Sequence, residues 1–89
     1  MRAEVQVSGN VQGVFFRAET EKRAKALSLN GFVENLKTGQ VKAVFEGEKE
    51  NIEKIIEWIK AGGPELAEVL DVEVSFKEKE EFNNFKIRY

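Results

Sequence analysis

Residues 9–17 read Gly-Asn-Val-Gln-Gly-Val-Phe-Phe-Arg, a combination well suited to holding an anion. Glycines at 9 and 13 reach backbone conformations that other residues avoid, so the loop can turn its N–H groups inward. The stretch that follows reads as a helix, which sets a partial positive charge behind the loop, and Arg17 falls in its first turn. Strand, glycine-bearing loop, helix N-terminus and arginine together predict a cradle for a phosphate-sized anion. A second informative run is Gly31-Phe32-Val33-Glu34-Asn35, which puts an asparagine on a strand-like segment, where asparagine is depleted.

The residues that are missing narrow the chemistry. The 89-residue chain has no cysteine and no histidine. Thiolate nucleophiles, disulfide chemistry, imidazole or thiolate zinc sites and Ser-His or Cys-His pairs are therefore excluded. Ser8 and Thr20 lack a base that would make them nucleophiles, and fit better as hydrogen-bonding groups in the loop or beside Asn35. Glu19 and Glu21 lie near the cradle in sequence, but their helical phase directs them to solvent. A net charge of −2 argues against a nucleic-acid or anionic-membrane surface. With no membrane-length apolar stretch and no signal-peptide pattern, the expectation is a cytoplasmic protein. Charged residues make up 34% of the chain, mostly Glu and Lys, which leans toward a thermophilic source.

Several elements must position these residues, and 89 residues suffice for a single domain, 1–89. Ala3, Val5 and Val7 alternate with polar neighbours as a half-buried strand. Phe16, Thr20, Ala24 and Leu27 share one helical face, and Asn30-Gly31 reads as the stop of that helix. Phe32–Leu36 and Gln40–Phe45 read as a hairpin around Lys37-Thr38-Gly39. Ile52, Ile55, Ile56 and Ile59 at i, i+3, i+4, i+7 mark a second helix, ended by Gly62-Gly63-Pro64. Val72, Val74 and Phe76 form a fourth strand, and Phe85, Ile87 and Tyr89 a short fifth. This order predicts an α+β, ferredoxin-like βαββαβ sandwich: an antiparallel sheet with two helices on one face and a short C-terminal strand. The first strand is expected between the third and the fourth. Phe15, Phe16, Phe32 and Phe45 are expected in the core, Trp58 partly buried, and the charged runs 46–54 and 77–81 solvated.

Val11-Gln12-Gly13-Val14-Phe15-Phe16-Arg17 resembles the signature loop of the acylphosphatases, and Gly31-Phe32-Val33-Glu34-Asn35-Leu36 resembles their second signature. The likeness continues through Gly39-Gln40-Val41, Phe45-Glu46-Gly47 and Gly63-Pro64 to Phe85-Lys86-Ile87-Arg88-Tyr89, so it spans essentially the whole chain. It implies hydrolysis of acyl phosphates, with Arg17 as the phosphate-binding arginine and Asn35 as the residue that orients the attacking water. Gln12, Gly13, Val14, Phe15 and Phe16 are then expected to offer backbone N–H groups to the phosphate. Glu34 departs from the family's more usual basic or neutral residue; on a strand it points away from Asn35.

The chemistry is self-consistent. Phosphoryl transfer needs charge stabilisation and alignment more than covalent help, and a carboxylate with a pKa of roughly 4 to 5 leaves without a general acid. Alkyl phosphate esters, whose alkoxides need protonation or a metal, are expected to be poor substrates. The expected protein is a monomer that needs no cofactor or metal. It takes a small acyl phosphate, releases inorganic phosphate, and binds neither nucleic acid nor membrane. The alternatives are a non-catalytic phosphate- or carbamoyl-phosphate-binding module and an RNA-binding ferredoxin-like module.

Overall fold

A computed structural model describes residues 1–89. The elements run β1 (Arg2–Asn10), α1 (Phe16–Ala26), β2 (Asn30–Asn35), β3 (Val41–Glu46), α2 (Lys49–Lys60), β4 (Glu68–Lys77) and β5 (Phe85–Arg88). The five strands form one sheet in the order β4-β1-β3-β2-β5, so β1 lies between β3 and β4 as the sequence predicts. This is the expected ferredoxin-like α+β sandwich.

Alternation on the strands decides which face carries the helices. Ala3, Val5 and Val7 of β1 pair across with Phe45, Ala43 and Val41 of β3, and all six are buried. They share one core cluster with Val33 and Phe85 of β2 and β5, Phe16 and Ala24 of α1, and the four isoleucines of α2. Both helices therefore pack on the same side of the sheet. Apolar area removed from water stabilises such a layer by roughly 25 cal/mol per Å². Trp58 is half-buried at the helix interface, with its ring centroid 6.1 Å from that of Phe16.

Three local expectations change. First, the sheet is mixed: β1, β2, β3 and β4 pair antiparallel, but β5 runs parallel to β2, with Val33 opposite Ile87 and Glu34 opposite Arg88. Parallel neighbours need a crossover, and residues 78–84 provide it by passing from β4 at one edge of the sheet to β5 at the other. Second, α1 stops before Asn30-Gly31. It ends at Ala26, Ser28 takes a left-handed conformation at φ 56°, and Asn30-Gly31 already pair with Glu46 and Phe45 as the start of β2. A serine in that conformation lets the chain turn three residues before the glycine that the sequence pattern marks as the stop. Third, Glu46 is not part of a solvated run: it is 2% exposed.

Candidate active site

The loop between β1 and α1 is shaped by its backbone. A register shift in the β1–β4 ladder at Ser8/Gly9 marks the end of regular pairing, and Gly9 sits at φ 131° with its Cα against the backbone of Glu68. Gly13 and Phe15 then both take left-handed conformations, at φ 73° and 63°. For Phe15, which caps α1 without a side-chain hydrogen bond, this costs about 1–2 kcal/mol. Strain of this kind persists where the surroundings impose it, and functional loops are a common place for it. Its consequence is that none of the backbone N–H groups of residues 12–18 donates to a protein acceptor. They form the unpaired first turn of α1 and the loop leading into it, the arrangement that receives anions.

Gln12 fixes this loop in space. Its Nε2 donates to the carbonyls of Leu36 and Gln40, at 2.8 and 2.9 Å, which close the β2–β3 hairpin. The loop is thus tied to the turn that follows Asn35. Gln40 Nε2 in turn donates to the Ser8 hydroxyl at 2.9 Å.

Arg17, half-buried on α1, is held from the other side. Its Nη1 donates to the Arg88 carbonyl at 3.3 Å, and its guanidinium carbon lies 4.8 Å from the Tyr89 ring centroid. Asn35 ends β2 on the helix-covered face, and its Oδ1 is buried without a hydrogen-bond partner. An unpaired buried acceptor costs about 1–3 kcal/mol, so this oxygen has unmet capacity for a donor such as water.

These pieces line a cleft of about 240 Å³. Of the residues singled out in the sequence, Gly13, Phe15, Phe16, Arg17 and Asn35 border it. Gln12 and Val14 do not: Gln12 has its side chain in the hairpin turn, and Val14 packs against the core. Phe15 corrects the expectation of a core residue, since it is 70% exposed at the cleft's rim. The left-handed turn swings its side chain outward, while Phe16 one residue later is buried. Ser8 and Thr20 do not hold Asn35: the Ser8 hydroxyl accepts from Gln40, and the Thr20 hydroxyl is buried without a partner. Neither Glu19 nor Glu21 borders the cleft, and Glu21 pairs with Lys25 at 3.4 Å.

The sequence reading missed Val11, Ala18, Ile87 and Tyr89 in the cleft wall. The signal for the last two was available in the closing alternation. Pairing β5 parallel to β2 sets Arg88 beside Glu34, so Tyr89 follows at the level of Asn35. No set of three or more His, Cys, Asp or Glu side chains is arranged to hold a metal ion.

The fold and cleft define a ferredoxin-like protein whose β1–α1 loop presents unpaired N–H groups at a helix N-terminus beside a small cleft. Comparison with known proteins takes this further. A sequence model of the family described as Acylphosphatase matches residues 3–87. An acylphosphatase of Haloquadratum walsbyi is 48% identical over 87 residues, covering 98% of this chain and 92% of that protein. Among solved structures, an acylphosphatase from Coxiella burnetii superposes with a TM-score of 0.93 at 40% identity, covering 98% of this chain and 90% of the other. One from Bacillus subtilis gives the same TM-score at 30% identity, covering 99% and 98%. The chain belongs to the acylphosphatase family and is an enzyme of that family, acting on small-molecule acyl phosphates.

Proposed function

We propose that the protein hydrolyses the carboxyl-phosphate bond without a metal, by in-line attack of a water held by Asn35 on a phosphoryl group held by Arg17 and the 12–16 loop. The observation that carries this reading is the set of unpaired N–H groups in the 12–18 run, of which Gly13, Phe15, Phe16, Arg17 and Ala18 border the same cleft as Asn35 with its unpaired Oδ1. The guanidinium supplies a planar fork for two phosphoryl oxygens, and the loop amides take the third. Asn35 Oδ1 accepts a hydrogen bond from the water and holds its oxygen in line with the breaking P–O bond.

As the water oxygen bonds to phosphorus, the bond to the carboxyl oxygen breaks and the carboxylate leaves as an anion. The water's proton passes to a phosphate oxygen, giving inorganic phosphate. A loose transition state asks little of a base, in keeping with a cleft that has no histidine and no bordering carboxylate. The outer face of β1 and β3 presents no aromatic side chain, which favours the hydrolase over an RNA-binding module.

The test is hydrolysis of benzoyl phosphate in excess EDTA, beside p-nitrophenyl phosphate, with wild type and Asn35→Ala. Expected are EDTA-insensitive turnover of the acyl phosphate alone and a kcat loss in Asn35→Ala of about 10²-fold or more, as for other lost transition-state hydrogen bonds. Phosphate binding without turnover would leave a binding module. Inhibition by EDTA would overturn the metal-free mechanism.

A further inference from the structure

The outer face of the sheet carries an anion-binding arrangement of its own, filled from within the protein. The Glu46 carboxylate accepts hydrogen bonds from the backbone N–H groups of Glu80, Glu81 and Phe82, at 2.5, 3.2 and 2.8 Å. All three donors belong to the crossover segment 78–84. Arg2, opposite Glu46 on β1, holds the same segment through the Glu78 carbonyl at 3.2 Å and the Glu80 carboxylate at 3.0 Å. Phe82 packs edge-on against Phe32, with centroids 5.8 Å apart, and the Asn84 carbonyl accepts from Gly31 N–H at 2.9 Å.

This strap leads directly into β5, a parallel edge strand of four residues. So short a strand has little pairing of its own with which to set its height against β2. Yet β5 and the residue after it bring Ile87 and Tyr89 to the cleft wall, Tyr89 against the Arg17 guanidinium, and place the Arg88 carbonyl where it accepts from Arg17.

We propose that Glu46 is a positioning residue for the reaction: its carboxylate fastens the 78–84 strap, the strap sets β5 against β2, and β5 aims the Arg17 guanidinium into the cleft. Without the carboxylate, three N–H groups lose their acceptor and the strap is free to lift. Displacements of about 1 Å far from the chemistry reduce rates by up to about 10²-fold. The inference rests on Arg17 being the phosphate ligand, and the experiment separates the two ideas.

Glu46→Gln, Arg17→Ala and the double variant are assayed with benzoyl phosphate after circular dichroism has established that each is folded. Amide hydrogen exchange is followed at residues 85–88 of the single Glu46 variant. Coupling through an intermediate element is worth about a tenfold effect, so Glu46→Gln should lower kcat/KM about tenfold in the wild-type background. On Arg17→Ala it should lower it less than twofold, because there is no guanidinium left to misplace. Exchange at 85–88 should quicken while α2 is unchanged. Equal losses in both backgrounds, or none in either, would overturn the proposal while a large loss in Arg17→Ala alone leaves the site reading standing. An Arg17→Ala variant with near-wild-type turnover would remove the site reading itself, and this inference with it. Should Glu46→Gln fail to fold, Phe82→Ala loosens the strap from its other anchor and carries the same comparison.

Discussion

Replacing Arg17 separates catalysis from folding. In the free enzyme Arg17 makes one exposed hydrogen bond, to the Arg88 carbonyl, and one stacking contact with Tyr89, which is 99% exposed. Exposed contacts of these kinds contribute about 0.5–1 kcal/mol each at most. Arg17→Ala should therefore cost at most about 2 kcal/mol and lower the melting temperature by no more than about 16 °C, at 4–8 °C per kcal/mol for a domain of this size. The catalytic loss is of another order. A guanidinium about 4 Å from the phosphoryl charge at an effective dielectric near 20 contributes about 4 kcal/mol. At 1.36 kcal/mol per decade that is about three decades in rate, the lower end of the 10³–10⁵ typical of arginines acting on a transferring phosphoryl group. Arg17→Lys keeps the charge and loses the fork. One charge-assisted hydrogen bond is worth about 1.5–3 kcal/mol, so the lysine variant should fall about one to two decades below wild type. Initial rates with benzoyl phosphate, read by ultraviolet absorbance beside thermal melts, give both numbers. A folded Arg17→Ala within tenfold of wild-type kcat/KM would refute the reasoning, and so would a lysine variant no better than alanine.

The loop glycines should differ in kind. A Cβ at Gly9 would lie 2.1 Å from the Glu68 carbonyl oxygen, whereas one at Gly13 meets nothing within 4 Å; in thermal unfolding Gly9→Ala should lose about 2–4 kcal/mol and Gly13→Ala only about 1. Gln12→Ala removes both bonds to the hairpin turn and should cost about 1–3 kcal/mol of stability together with a drop in kcat/KM, measured by melts and initial rates. Burial alone would raise the Glu46 pKa, but the hydrogen bonds from Glu80, Phe82 and Glu81, with Arg2 nearby, outweigh it and hold it below its ordinary 4.5. Because the folded value lies below the unfolded one, the stability this group contributes is complete above about 4.5 and is lost as pH falls through the folded pKa. Urea unfolding from pH 7 to pH 2 should show that acid limb, and Glu46→Gln should flatten it.

What could be read from the residues alone was whatever local periodicity encodes. The four isoleucines of α2 and the alternation of Ala3, Val5 and Val7 fixed both elements and their buried faces, because burial on a helix or strand repeats with the chain's own geometry. The loop and Arg17 were legible because glycine and arginine in that order restrict what a backbone can do. Glu46 was not, since its three donors lie 34–36 residues away and nothing in Phe45-Glu46-Gly47 announces them. The direction of β5 was hidden for a related reason: alternation gives the faces of an edge strand but not which neighbour it joins. Phe15 was misjudged because hydrophobicity pointed inward while the left-handed turn, a property of the whole loop, pointed outward.

The pairing pattern also governs when the cleft comes into being. Only the β2–β3 hairpin joins near neighbours; β1 must find residues 41–46 and 68–77, and β2 must find residues 85–88. Topologies dominated by such distant partners fold late on the milliseconds-to-seconds scale, because loop closure precedes any reward from pairing. Arg17, Asn35 and Ile87 meet only once the final strand has docked, so a nascent chain has no complete cleft until Phe85–Tyr89 have been synthesised. During refolding, Trp58 packed on Phe16 reports the core beside the cleft, and recovered activity should follow its fluorescence without preceding it.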